Sequence, residues 1–212
     1  AYILSEVDVT ELKDNEHKVR YLAHHDTLTG LYNRNYVQLA FPELLSSAKQ
    51  SNLDMAMMLI DLDKFKTIND TLGHASGDQL LMHVSQILEQ QVGSAGHIAR
   101  LGGDEFIILI PMRDKNELNQ LCHHLLKAIA TDCHIEDHRL SSKASIGVSL
   151  FPEHGDDLAT LMKHADLALY DSKDRGRNTF SFFRPALQMA VLKQRSLERD
   201  LIQATQRKEF LL

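Results

Sequence analysis

An α+β domain built on a mostly antiparallel sheet is what this sequence predicts, and three observations predict it. Residues 55–60 form an unbroken apolar run, short enough for a buried strand. Two further apolar segments meet at Gly102-Gly103. A Gly-Gly pair there signals a tight hairpin, because both turn positions accept positive φ without a Cβ clash. Between these strands lie long stretches whose apolar residues recur at helical spacing. Helices packed on one side of such a sheet make an α+β domain.

In chain order, the first element is a helix over residues 35–50, with Leu39, Ala40, Leu44 and Leu45 on one face. The strand of residues 55–60 follows and ends abruptly in Asp61-Leu62-Asp63. A second helix covers residues 76–91, with Leu80, Leu81, Val84, Ile87 and Leu88 at its apolar positions. Residues 97–110 form the hairpin around the Gly-Gly turn, and residues 116–131 a third helix. Residues 143–151 alternate as a strand does, 156–173 read as a fourth helix, and 179–183 close with a short strand.

Composition narrows the class. The apolar share of 43% and charged share of 25% are those of an ordinary soluble globular protein. No apolar run approaches the length of a membrane span and no secretory signal opens the sequence, so no membrane contact is expected of this segment. A net charge of −6 argues against general nucleic-acid binding; a nucleotide substrate would need local positive charge instead. The two cysteines, Cys122 and Cys133, stand near His123, His124 and His134. Their spacing fits no standard zinc arrangement, and a reduced, cytoplasmic protein is the simpler inference. A parent chain could still be membrane-anchored through other segments.

The acids carry the chemistry. Asp61 and Asp63 emerge at a strand end, where a pair of carboxylates can hold a hard cation such as magnesium. Asp104 and Glu105 leave the hairpin at its tip, on a strand expected to pair beside the first. That would place an acid from each of two neighbouring strands at one spot. A polar strand terminus and a solvated turn are the plainer readings of the same residues.

The motifs decide between them. Gly102-Gly103-Asp104-Glu105-Phe106 is the signature of the GGDEF family, the diguanylate cyclases. Asp61-Leu62-Asp63-Lys64-Phe65-Lys66-Thr67-Ile68-Asn69-Asp70 and Gly73-His74-Ala75-Ser76-Gly77-Asp78 resemble that family at every fixed position. Asp26-Thr27-Leu28-Thr29-Gly30-Leu31-Tyr32-Asn33-Arg34, Ser145-Ile146-Gly147, Ala165-Asp166-Leu167-Ala168-Leu169-Tyr170 and Lys173…Gly176-Arg177-Asn178 match further blocks in family order. The resemblance spans about residues 26–183.

It implies a cyclase- or polymerase-palm βαββαβ fold and the condensation of two GTP into cyclic di-GMP and two pyrophosphates across a homodimer. By the same resemblance, Asp61, the Leu62 carbonyl and Asp104 hold Mg2+ (or Mn2+). Asn69 and Asp78 meet the guanine base, backbone N–H groups near Phe65 and Lys66 cradle the phosphates, and Gly102 and Gly103 also bind the substrate. Lys66 neutralises transition-state charge, and Asp104 or Glu105 assists deprotonation. His74 either lines the guanosine pocket or only bonds its own loop. Lys173 and Arg177, four apart, would project together toward the triphosphate if the helix continues. The opening block is read as structural, with Arg34 able to support the active site. One departure stands out: Gly93-Ser94-Ala95-Gly96 occupies the place of the family's Arg-x-x-Asp product-inhibition site.

Residues 1–25 read as a linker or signalling helix. Asp8-Val9-Thr10-Glu11 has capping-box spacing, and the segment resembles the tail of a PAS sensor domain. Residues 26–184 read as the GGDEF domain. Residues 185–212 read as a linker helix, and Leu197-Glu198…Leu201…Glu209-Phe210-Leu211-Leu212 resembles the onset of an EAL phosphodiesterase domain. Sensor and EAL domains are therefore expected partners within a longer parent chain. Two functions follow: an active cyclase, or a GTP-binding regulatory module governing the phosphodiesterase.

Overall fold

The computed structural model describes residues 18–19, 21–135 and 138–190. The PAS-like and EAL-like segments of the sequence reading lie outside the described residues for almost all of their length.

The first strand, β1 (Tyr32–Asn33), leads into α1 (Arg34–Gln50), whose amide N–H at Tyr36 is capped by the Asn33 side chain. The central strand β2 (Asp54–Leu62) runs into α2 (Phe65–Leu72) and α3 (His74–Val92). The hairpin β3 (His97–Gly102) and β4 (Glu105–Met112) follows, then α4 (Lys115–Ile129). A small hairpin, β5 (Cys133–Ile135) with β6 (His138–Leu140), precedes β7 (Ala144–Phe151), α5 (Leu158–Asp174) and β8 (Phe180–Phe182).

The main sheet has six strands in the order β1-β3-β4-β2-β7-β8. β2 lies between β4 and β7 and is antiparallel to both, while the two edge strands pair in parallel. The four inner strands with their intervening helices make the expected βαββαβ unit.

The helices, however, cover both faces of the sheet and not one. The cause is visible in β2, where alternate residues all need cover. Ala56, Met58, Ile60 and Leu62 pack with Leu80, Val84 and Leu88 of α3 and Cys122 and Leu125 of α4. Met55, Met57 and Leu59 pack with Val37 and Phe41 of α1 and Leu161 and Ala165 of α5. Gly147 in β7 lets α5 approach closely, since a Cβ there would stand 2.7 Å from the Leu169 Cα and overlap the Ala165 carbonyl oxygen. Both cysteines are buried and free, and burial pushes the Cys122 thiol up to about 12. Among the described residues no group of three or more His, Cys, Asp and Glu side chains is gathered so as to hold a metal by itself, and no helix is long and apolar enough to cross a membrane.

Candidate active site

The site is built where β2 ends. Asp61 stands opposite Glu105 of β4 on one side and Ser145 of β7 on the other. Beside it, the Leu62 N–H donates to the Asp104 carbonyl oxygen at 3.3 Å, so the Gly-Gly turn is stitched to the strand end. Asp61 and Glu105 thus face each other on adjacent strands, with Asp104 in the β3–β4 turn beside them. Burial and then the Asp61 charge hold the Asp104 carboxyl above its usual range, against a backbone hydrogen bond, Lys173 and Arg100, which lower it. Glu105 is raised by burial and Asp61, with Arg34 opposing. Lys173 Nζ reaches across from α5 to Asp61 Oδ2 at 2.8 Å.

Oxygen donors of this kind suit a divalent cation. Two carboxylates and one backbone carbonyl leave half of an octahedral shell to water and substrate phosphate, as magnesium prefers. Burial first and the Asp61 charge second hold Asp104 up, a cation beside the two carboxylates would oppose both, and the Lys173 ammonium on Asp61 already lowers it in part. The residues fit the ion.

From the strand end the chain turns sharply. Lys64 adopts left-handed backbone (φ 61) and α2 starts at Phe65. The Thr67 and Ile68 amides bond back to the Lys64 carbonyl, while those of Phe65 and Lys66 find no backbone acceptor among the described residues. Two free N–H groups at a helix start favour an anion. Lys66 is exposed and the Phe65 ring is buried.

One turn into α2 lies Asn69. Its Oδ1 is buried and has no hydrogen-bond partner among the described residues. It fits against Gly77 of α3, where a Cβ would overlap Oδ1 and come within 3.0 Å of Asn69 Cγ and 3.3 Å of Phe65 Cζ. Asp78, next in sequence, is exposed, as is His74 at the start of α3. The structure therefore brings Asn69 beside the Gly77–Asp78 turn of α3, one helical turn beyond the end of β2. The His74 side chain makes no hydrogen bond among the described residues.

Two expectations need revision. α5 ends at Asp174, and Gly176 (φ 109) and Arg177 (φ 65) form a turn beyond it. Lys173 and Arg177 therefore do not project from one helix. The other concerns Asp63, paired with Asp61 as a candidate cation ligand. Its Oδ1 accepts from the Ser145 hydroxyl at 2.8 Å and its Oδ2 from the Asn178 backbone N–H at 3.0 Å. Asp63 ties the basic turn to the strand end.

Arg100 escaped the sequence reading as well. It donates to both Asp26 carboxylate oxygens and, through Nε and Nη2, to the Gly103 carbonyl at 3.0 and 2.8 Å. Burial raises the Asp26 carboxyl, but hydrogen bonds from Thr29 and Arg100 outweigh it and hold the group below its usual range. The opening block is thereby fastened to the Gly-Gly turn. Arg34 donates through Nε to the Leu101 carbonyl and shares a cavity of about 270 Å³ with Glu105, Lys163 and Asp166.

Fold and site define a palm-type domain with carboxylates at the end of its central strand and a free-amide turn beside them. The sequence profile described as "Diguanylate cyclase, GGDEF domain" matches residues 23–179, and the chain belongs to that family. It is 36% identical over 203 residues to the bifunctional diguanylate cyclase/cyclic di-GMP phosphodiesterase MucR of Pseudomonas aeruginosa, covering 96% of this chain and 30% of that protein. It is 37% identical over 192 residues to the cyclic di-GMP phosphodiesterase NbdA of the same organism, covering 90% of this chain and 24% of that one. Among solved structures, the GGDEF domain of Pseudomonas aeruginosa TpbB (YfiN) superimposes with a TM-score of 0.77 at 32% identity, covering 80% of this chain and 99% of that one. The chain spans about a quarter to a third of the curated relatives just named.

Proposed function

We propose that this domain is a diguanylate cyclase that joins two GTP into cyclic di-GMP, each of two facing domains carrying one nucleotide. The observation that carries this reading is the register of Asp61 against Glu105 on adjacent strands, with Asp104 at the intervening turn. Asn69 and Asp78 hold the guanine, the amide supplying and accepting hydrogen bonds and the carboxylate accepting from the base N–H groups. The free amides of Phe65 and Lys66, with the Lys66 ammonium, hold the phosphates and offset charge as it develops. Arg177, positioned by the Asp63 tether, faces the same end of the nucleotide.

In each half-reaction a bond forms between the 3′-oxygen of one GTP and the α-phosphorus of the other. The bond from that phosphorus to the β-phosphate bridge breaks, and pyrophosphate leaves with the electron pair. Glu105 or Asp104 takes the hydroxyl proton; raised carboxyls are better matched to that task near neutrality than ordinary ones. A magnesium or manganese ion held by Asp61, the Leu62 carbonyl and Asp104 supplies Lewis-acid polarisation of the phosphate when bound. One domain holds only half of the reactants, so a homodimer is required.

A second reading is favoured by the phosphodiesterase names among the relatives: a GTP-binding module that governs an attached EAL domain. Incubation with GTP and magnesium, with products identified by mass, separates the two. Cyclic di-GMP and pyrophosphate support the cyclase. Saturable GTP binding without turnover, at protein concentrations that give dimers, supports the regulatory module.

A further inference from the structure

Six rings, three phenols and three imidazoles, meet where residues 21–25 enter the domain. Tyr21 stacks on His25 at 4.1 Å, His25 tilts against Tyr32 at 4.8 Å, and Tyr32 of β1 stacks on Tyr36 of α1 at 3.5 Å. His24 meets Tyr36 edge-on, and His97 of β3 lies against the same ring with its Nδ1 2.9 Å from the Tyr36 hydroxyl. The entering backbone is held as well, since Asn33 Nδ2 donates to the Ala23 and His25 carbonyls. β3 thus grips this segment twice, through His97 at its start and through the Arg100–Asp26 pair near the Gly-Gly turn. His97 is poorly placed to carry charge: burial holds it below the usual imidazole range. Nor does it make an ion pair among the described residues. From α1 it faces Tyr36, on which Glu43 acts, and from β1 it faces Tyr32. Across a cavity of about 520 Å³ stand His25 and the exposed Glu89 of α3. His25 Nδ1 is spent on the Gly30 carbonyl at 2.9 Å, and the Asp26 carboxylate on Arg100.

We infer that this ring stack is a proton-operated latch: with His97 neutral it holds the entering segment on β3, and with His97 charged it lets that segment go. A second cavity, of about 310 Å³, shares His97 with the first, so the charged ring has room to turn out of the stack. The consequence for activity rests on the proposed cyclase reading. The released segment carries Asp26, so Arg100 loses its carboxylate and the Gly103 carbonyl its fixed donor, and the hairpin acids lose support. Stacked His97 takes its proton at lower pH than a freed one. The latch is therefore closed above the ordinary imidazole value of about 6.5 and opens as pH falls below it. One linked proton changes the closed-to-open ratio by at most about tenfold per pH unit.

Three of the five tyrosines lie in the stack and the chain has no tryptophan, so near-ultraviolet circular dichroism of the 212-residue chain reads the latch. Between about pH 8 and about pH 5, where imidazoles titrate, the parent's tyrosine signal is expected to collapse while its far-ultraviolet spectrum holds. His97→Asn keeps a polar atom near the Nδ1 position and cannot be charged, and its signal should stay flat. GTP turnover should show the same contrast, the parent losing rate relative to the variant by up to about tenfold per pH unit below the midpoint. A parental tyrosine signal that is constant over that range overturns the inference, and this measurement decides even if the variant does not fold. A transition that persists unaltered in His97→Asn overturns it too, as does a parent-to-variant rate ratio that does not change with pH. A chain that makes no cyclic di-GMP at any pH refutes the cyclase reading, and the latch is then judged on the tyrosine transition alone.

Discussion

Replacing Gly77 by alanine should separate nucleotide recognition from fold stability. Gly77 lies in the first turns of α3, where alanine is favoured over glycine by up to about 1 kcal/mol. The added Cβ would overlap Asn69 Oδ1 and stand 3.0 Å from Asn69 Cγ, so the amide must rotate away. That movement is cheap for the fold, because the colliding atom ends a flexible side chain and has no hydrogen bond to lose. It is expensive for recognition if Asn69 reads the base. Losing one hydrogen bond to a desolvated partner costs about 1–3 kcal/mol, or roughly ten- to a hundredfold in GTP affinity. Calorimetry with a non-cyclising GTP analogue, beside thermal denaturation, reads both quantities. The variant is expected to melt within a few degrees of the parent while analogue affinity falls by that factor. Adding Gly77→Ala to Asn69→Ala should weaken binding little further, since both act through one side chain. Parental GTP affinity in Gly77→Ala would refute the placement of Asn69 on guanine.

The remaining predictions address other parts of the site. Asp104→Asn should abolish turnover while leaving binding of the GTP analogue nearly intact; cyclisation near the parental rate would remove Asp104 from the metal site. Asp26→Asn should destabilise the domain by about 1–3 kcal/mol at neutral pH, because Arg100 is left partly buried without its carboxylate. Asp26 is held below its usual range in the folded state, so its contribution is present above the ordinary carboxylate pKa and lost as pH falls through the lowered one. Denaturant melts of parent and variant should therefore converge at acid pH, and a difference that grows there would contradict the assignment. Gly147→Ala should cost about 3 kcal/mol or more, as the clash is with backbone of α5, and an unchanged melting temperature would show that α5 can move away. Cyclic di-GMP should bind only at the active site, because Gly93 and Gly96 offer no side chain to grip it; calorimetric binding that survives Asn69→Ala and Asp78→Ala would overturn this.

Much of the fold was legible in the sequence because its signals are local. The unbroken apolar run of β2, the Gly-Gly turn and the amphipathic helices each arise from spacing within a few residues, and the structure reproduces them to within a few positions at their ends. The pairing of Asp61 with the hairpin acids was also anticipated, since an apolar strand and a tight hairpin of matching character have few ways to share a sheet. What spacing could not settle was the second layer of helices, because a fully apolar strand reads the same whichever elements arrive to cover its two faces. The three-residue strands β5 and β6 lack the length for a periodic signal. Spacing alone could not divide the labour between Asp61 and Asp63, although the family resemblance named Asp61. Two residues apart on one chain, they look alike. One meets Lys173 and the hairpin acids, while the other is consumed by Ser145, 82 residues away, and Asn178, 115 residues away. Arg100 joins Asp26 to Gly103 across 74 residues of chain on one side and three on the other. Residue identity supplied the chemistry of the site, and only chain closure decided which carboxylate stands with the hairpin acids and which holds the protein together.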